Sequence, residues 1–215
     1  MVLKKSLPVM KSMLSIVTAS LVTLSLLAGN HGDVHEGDLV FVVNPHGNAI
    51  TSVTTAIDSL PIDHVAILHR VGGDDGPLYA LEAIGAGVCL TPIDSFINAN
   101  GGAANLVAGR VEAVNHHRSV RNALAYAGRP YDYNYMPDDS AIYCSELVQK
   151  TYVDTCGRHI FGTIPMTFRD SSGEIHPYWT QHYGKQGLSV PEGEPGTNPG
   201  QLSRDKKVKI LDLKF

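Results

Sequence analysis

From residue 37 onward the extended segments come first and the helical ones later, an order that excludes βαβ alternation and the parallel sheet it builds. A turn pair, Gly37-Asp38, opens the run Leu39-Val40-Phe41-Val42-Val43, whose β-branched and aromatic residues predict a largely buried first strand. Two similar runs, 63–69 and 78–84, flank Gly72-Gly73-Asp74-Asp75-Gly76-Pro77. Glycine, aspartate and proline in that density make a turn, so the two runs form an antiparallel hairpin. Gly85-Ala86-Gly87 then breaks the chain before a short strand at Val88-Cys89-Leu90, and further strands are expected at 106–111 and 207–213. Ile50, Val53, Thr54 and Ile57 recur at helical spacing and predict a short helix or helical turn within 48–60, stopped by Pro61; residues 92–97 form a helical turn. Two longer helices follow, at 117–127 and at about 141–153, the second carrying Cys144, Leu147, Val148 and Tyr152 on one face. Residues 184–200 hold five glycines and three prolines with almost no apolar residues, which predicts an ordered loop or a mobile lid outside the core. The fold class is therefore α+β, a mostly antiparallel sheet packed on helices.

A chain of 215 residues, 43% of them hydrophobic, has apolar material for one substantial core, so residues 29–215 are expected to form one catalytic domain. The residues before them read differently. Met1-Val2-Leu3-Lys4-Lys5 and Lys11 precede an uncharged apolar run over 12–28, the layout of a secretory signal, with cleavage expected near Ala28. Leu26 stands where a small residue is preferred, so an uncleaved N-terminal anchor is the alternative. The chain is expected outside the cytoplasm, in the periplasm or an equivalent space, with membrane association through this segment if it is retained. A net charge of −4, with lysine and arginine scattered rather than striped, gives no footprint for a nucleic acid.

Three cysteines leave at least one thiol unpaired. Cys89 and Cys156 form a disulfide or are two small buried thiols; spacing does not decide between them. Cys144 is different. It follows Asp138-Asp139-Ser140, all N-cap residue types, and precedes a helical stripe, which puts it in the first turn of a helix. Free backbone N–H groups and the positive end of the helix dipole there favour a thiolate, the nucleophile of a cysteine hydrolase. The plain alternative is a small core cysteine. A nucleophilic cysteine needs a base, and the base needs an orienting group. His64 opens a strand beside turn residues, where its ring can leave the sheet's end. Strand alternation puts His64, Ala66 and Leu68 on one face and Ala80, Glu82 and Ile84 on one face of the hairpin partner. If the register joins these sets, Glu82 holds one ring nitrogen and the other faces the sulfur. Otherwise Glu82 is an outward-facing strand residue.

The stretch Tyr143-Cys144-Ser145-Glu146-Leu147-Val148, preceded by Gly128-Arg129-Pro130-Tyr131-Asp132-Tyr133, resembles the YiiX family of permuted papain-like enzymes within the NlpC-type cysteine peptidase superfamily. So do Asp63-His64-Val65-Ala66-Ile67 and Gly37-Asp38-Leu39-Val40-Phe41. In that family the histidine strand precedes the cysteine helix and a glutamate on the next strand is the third catalytic group; all three positions match here. The resemblance implies a circularly permuted papain-like (NlpC-type) fold and an amidase or peptidase using Cys144, His64 and Glu82. Some relatives act on cell-wall peptides, and a lecithin retinol acyltransferase-like branch transfers acyl groups from lipids. It also implies that Tyr143 and Tyr131 line the substrate groove, with Ser145 beside them, and that a phenol there can join the Cys144 N–H at an oxyanion; ordinary aromatic packing is the plain alternative for both tyrosines. A peptide or acyl-amide substrate is expected, from peptidoglycan or lipid, and a catalytically silent binding domain is the reading from another class. The ten histidines include no His-Glu-x-x-His, and the adjacent pair His116-His117 does not readily close on one ion, so neither metal nor other cofactor is expected. The sequence has no Gly-x-Ser-x-Gly elbow and no phosphate-cradling glycine loop.

Overall fold

The computed structural model describes residues 34–212; the expected signal, residues 1–28, lies outside them. The first strand, β1 (Leu39–Val43), is followed by β2 (Ile62–Arg70), β3 (Leu78–Ile84) and β4 (Gly87–Pro92), then α1 (Ile93–Ala99) and β5 (Leu106–Val111). The later part contributes α2 (His116–Leu124), α3 (Cys144–Thr151), the two-residue β6 (Ile164–Pro165), α4 (Pro177–Gly184), β7 (Pro195–Gly196), α5 (Pro199–Ser203) and β8 (Val208–Ile210). Six strands pair antiparallel in the order β4-β3-β2-β1-β5-β8, and β6 pairs with β7 separately. The expected hairpin is β2–β3, with Leu68 opposite Ala80.

Both faces of the sheet are covered, which is why β1 is apolar throughout rather than alternating. Leu39, Phe41, Val65, Ile67, Leu81 and Ala83 pack against Val120 and Ala123 of α2, Leu147 and Val148 of α3, and Tyr152 just after α3. Val40, Val42, Ala66, Leu68 and Ala80 meet Ile93 and Phe96 of α1 on the other face. Each large side chain so buried contributes about 1.5–3 kcal/mol relative to exposure. A smaller cluster of Met166, Phe168, Trp179 and Tyr183 lies apart, beside Ile50 and Val53.

Within 48–60 the expected short helix or helical turn is a helical turn: Asn48 Oδ1 accepts from the N–H of Ile50 and of Thr51 as an N-cap does, the Ser52 N–H donates to the Asn48 carbonyl, and further turns lead to a 3-10 turn at Ile57–Ser59. Three expectations are corrected. Cys89 and Cys156 do not pair, and they are not two buried thiols either: Cys89 is half-buried and Cys156 exposed. The last strand is shorter than 207–213, ending at Ile210. Finally, the 184–200 segment does not stay outside the core at its end. Thr197, Pro199 and Gly200 are buried, and a Cβ at Gly196 would meet Met166 Sδ at 2.2 Å, so only glycine lets the segment lie this close.

Candidate active site

Cys144 is the first residue of α3 and is nearly buried, at 4% exposure. Tyr143 before it is extended, and the Tyr143 N–H donates to Glu146 Oε2 across a long 3.5 Å contact. Glu146 is held in turn by Lys150 Nζ at 2.9 Å. Burial pushes the Glu146 carboxyl up to about 7 against the pull of Lys150. Capping the turn from below leaves the first N–H groups of α3, where the dipole is positive, directed at the cleft.

His64 reaches this point because of an irregularity in β2. Val42 pairs with His64 and Val43 with Ile62, so Asp63 is an extra residue, a β-bulge that releases the strand end from strict alternation. The His64 ring lies 6.3 Å from that of Phe96, and its side chain is 16% exposed. Its Nε2 donates to Glu82 Oε2 at 2.8 Å, since a carboxylate only accepts; Nδ1 is thereby left for Cys144, whose nearby sulfur raises the ring's affinity for a proton. The other oxygen of Glu82, itself 4% exposed, accepts from Thr91 Oγ1 at 2.6 Å. Burial pulls the imidazolium down, but the hydrogen bonds to Cys144 and Glu82 and the charges of both outweigh it, raising its pKa to about 10.

Cys144 opens onto a cleft whose wall is largely aromatic and aliphatic. Tyr135 packs edge-on against Tyr143 at 5.1 Å and against Trp179 at 5.6 Å, and Phe168 meets Trp179 edge-on at 5.2 Å. Tyr131 lines the same wall and hydrogen-bonds Tyr135; burial pushes both phenols, and that of Tyr143, well above the usual range, so they stay neutral. Tyr143 Oη accepts the Thr197 N–H at 3.0 Å, fixing the 195–198 segment as one side of the cleft. Ser145 Oγ and Thr197 Oγ1 are buried there with no partner among the described residues. Each such hydroxyl costs about 1–3 kcal/mol if nothing satisfies it. On the His64 side lies a second, more polar groove lined by Asp63, Glu82, Thr91 and Asn100.

The six residues singled out in the sequence thus lie in one region: Glu82 holds His64, Cys144 acts on the His64 ring, and Tyr143, Tyr131 and Ser145 line the cleft with Cys144. Sequence reading missed Thr91, Asp63, Tyr135, Phe168 and Trp179. Thr91 had a signal, as it lies on the strand after that of Glu82, two residues beyond the Cys89 that pairs with Glu82 and so on the same face. The aromatic wall had none, since its residues come from separate segments that only the tertiary fold joins.

A family model described as permuted papain-like amidase enzyme, YaeF/YiiX, matches residues 33–211. The chain is 30% identical over 126 residues to the uncharacterized protein YiiX of Escherichia coli strain K12, covering 56% of this chain and 60% of that relative. The crystal structure of metalloprotein YiiX from Escherichia coli O157:H7 superposes with a TM-score of 0.65 at 24% identity, over 84% of this chain and 98% of that one. The shared fold is the permuted papain-like one, with the histidine strand ahead of the cysteine helix.

Proposed function

The chain belongs to the YaeF/YiiX family of permuted papain-like amidase enzymes, and on that premise we propose that it hydrolyses an amide bond through a triad of Cys144, His64 and Glu82. The observation that carries this reading is the His64 ring, held by the buried Glu82 carboxylate through Nε2 and close enough to Cys144 for the sulfur to raise its affinity for a proton. His64 takes the thiol proton and the sulfur attacks the amide carbonyl. The oxyanion is met by the Cys144 N–H at the start of α3. His64 returns the proton to the leaving amine, and a water, deprotonated by the same ring, hydrolyses the thioester. Glu82, locked by Thr91, keeps the tautomer and steadies the imidazolium.

The E. coli structural neighbour is described as a metalloprotein. Among the described residues no three His, Cys, Asp or Glu side chains are placed to hold an ion, and His64 Nε2 is taken by Glu82, so no step is routed through a metal. The relative matched in sequence is aligned over only about 60% of its length, and the substrate of this chain is read from its own cleft. An aromatic and aliphatic wall favours a substrate with an apolar portion next to the scissile amide, an N-acyl amide or an apolar peptide residue, over an exposed and wholly polar wall peptide. The proposal extends to export: the lysine-flanked apolar run before Ala28 supports it, and no helix among the described residues is long and apolar enough to cross a membrane.

Incubating the protein with peptidoglycan stem peptides, peptide amides and N-acyl amides, and measuring the released amine by mass spectrometry, tests the reading. Release is expected from the amides with an apolar portion and none from the Cys144→Ala protein. Binding without release across all three classes would favour a silent binding domain.

A further inference from the structure

Asp63 is the extra residue of the β2 bulge and sits immediately before His64. It is the one residue that lines both the apolar cleft at Cys144 and the polar groove at His64 and Glu82. The Asn44 and Asn48 side-chain amides both donate to its Oδ2, at 2.9 and 2.7 Å, which fixes the carboxylate's orientation. Its Oδ1 has no hydrogen-bond partner and the group no cationic partner among the described residues. The neighbouring carboxylate is in the opposite situation, with both oxygens of Glu82 engaged. A tie to the 44–48 turn needs only one acceptor oxygen, and an amide would supply it. The negative charge and the second oxygen are left over, at the junction where a scissile bond must lie. The same cleft contains two buried hydroxyls without partners, on Ser145 and Thr197, so its wall presents unmet polar atoms to an occupant as well as apolar surface.

We propose that Asp63 is a specificity residue, pairing its free carboxylate oxygen with an ammonium group that the substrate carries close to the scissile amide. This rests on the catalytic reading above and narrows it. The substrate class becomes an amide bearing both an apolar portion, seated among Tyr135, Phe168 and Trp179, and a positively charged amine, seated at Asp63. An anionic group at the same position is disfavoured by the same charge. A unit charge facing a half-buried cleft changes the binding of a charged group there by about tenfold, and added salt reduces the effect.

The test uses Cys144 itself as the reporter and needs no substrate. Methanethiosulfonate reagents transfer a thioalkyl group to a thiolate, forming a disulfide and releasing methanesulfinate. The rate at the Cys144 peptide is read by mass spectrometry for the trimethylammonioethyl, methyl and sulfonatoethyl reagents, with free cysteine as the reference. The cation-to-anion rate ratio is expected to exceed that of free cysteine by at least about tenfold, to fall about tenfold in Asp63→Asn, and to shrink in about 0.5 M salt in the unsubstituted protein. The Asp63→Asn side chain retains an oxygen for Asn44 and Asn48, and the salt arm gives the answer without any substitution. A ratio equal in the wild type and Asp63→Asn, or insensitive to salt, overturns the role of Asp63 and leaves the catalytic reading standing. A neutral methyl reagent that modifies Cys144 no faster than the exposed Cys156 overturns both.

Discussion

Cys144→Ala and His64→Ala each lower amide turnover by at least about 10³-fold, while Glu82→Gln lowers it by about 10²-fold and leaves measurable activity. The asymmetry follows from the contacts. Without the sulfur there is no acyl-enzyme, and without the ring nothing accepts the thiol proton or returns it to the amine. The glutamine of Glu82→Gln keeps a carbonyl oxygen that can accept from His64 Nε2, with its amide turned toward the Thr91 hydroxyl, which accepts as well as donates. What it removes is the charge that stabilises the imidazolium. Initial rates on the amide found to be turned over check this, with each variant's thermal unfolding measured to exclude loss of fold. Equal rates for wild type and Cys144→Ala would end the reading.

Arg110→Met lowers the stability of the protein by about 3 kcal/mol at pH 7, and Tm by roughly 10 °C. Asp38 has 0% exposure, and Arg110 Nε and Nη2 donate to its two oxygens at 2.9 and 2.8 Å; the His35 N–H adds a third bond at 2.8 Å. The pair joins the turn before β1 to β5. Tyr152 Oη, from the end of α3, donates to the Gly37 carbonyl at 2.8 Å, tying the cysteine helix to the same turn. Removing only the guanidinium leaves a buried carboxylate without its counter-charge, which costs more than removing the pair. Adding Asp38→Asn to Arg110→Met therefore restores part of the loss. Urea unfolding of the two variants checks both statements, and an Arg110→Met protein within about 0.5 kcal/mol of wild type would contradict them.

How much of this was readable in the sequence depended on whether a signal was local. The β2–β3 hairpin was legible because its turn residues and flanking alternation lie within 22 residues of one another, from 63 to 84, and the shared face of His64 and Glu82 followed from strand periodicity. That Cys144 lies in the first turn of a helix was legible, but the Asp138-Asp139-Ser140 cluster is not its cap: Asp138 Oδ1 accepts from Ser140, and Tyr143 holds the N-cap position. The bulge at Asp63 was not legible, because a single extra residue leaves no trace in a pattern of apolar positions. The helical turn after Asn48 was legible from apolar spacing, whereas its capping by the Asn48 side chain was not read. Asp38 read as a turn residue and is also a buried ion-pair partner; Arg110 lies 72 residues away and nothing local links them. The aromatic wall belongs to the same category: Tyr135, Phe168 and Trp179 meet only after α3, α4 and the 195–198 segment have docked.

The central claim, that His64 is bound between the Glu82 carboxylate and the Cys144 sulfur, is tested most directly by an NMR titration of the His64 imidazole in the wild type and in Cys144→Ala. A raised pKa means the ring stays protonated through neutral pH and loses its proton only near pH 10, the alkaline side on which leaving-group protonation fails as well. In Cys144→Ala the stabilising hydrogen bond and charge of the sulfur are gone while burial remains, so the midpoint falls. A His64 midpoint near the ordinary 6.5 in the wild type, unmoved by Cys144→Ala, would contradict the account.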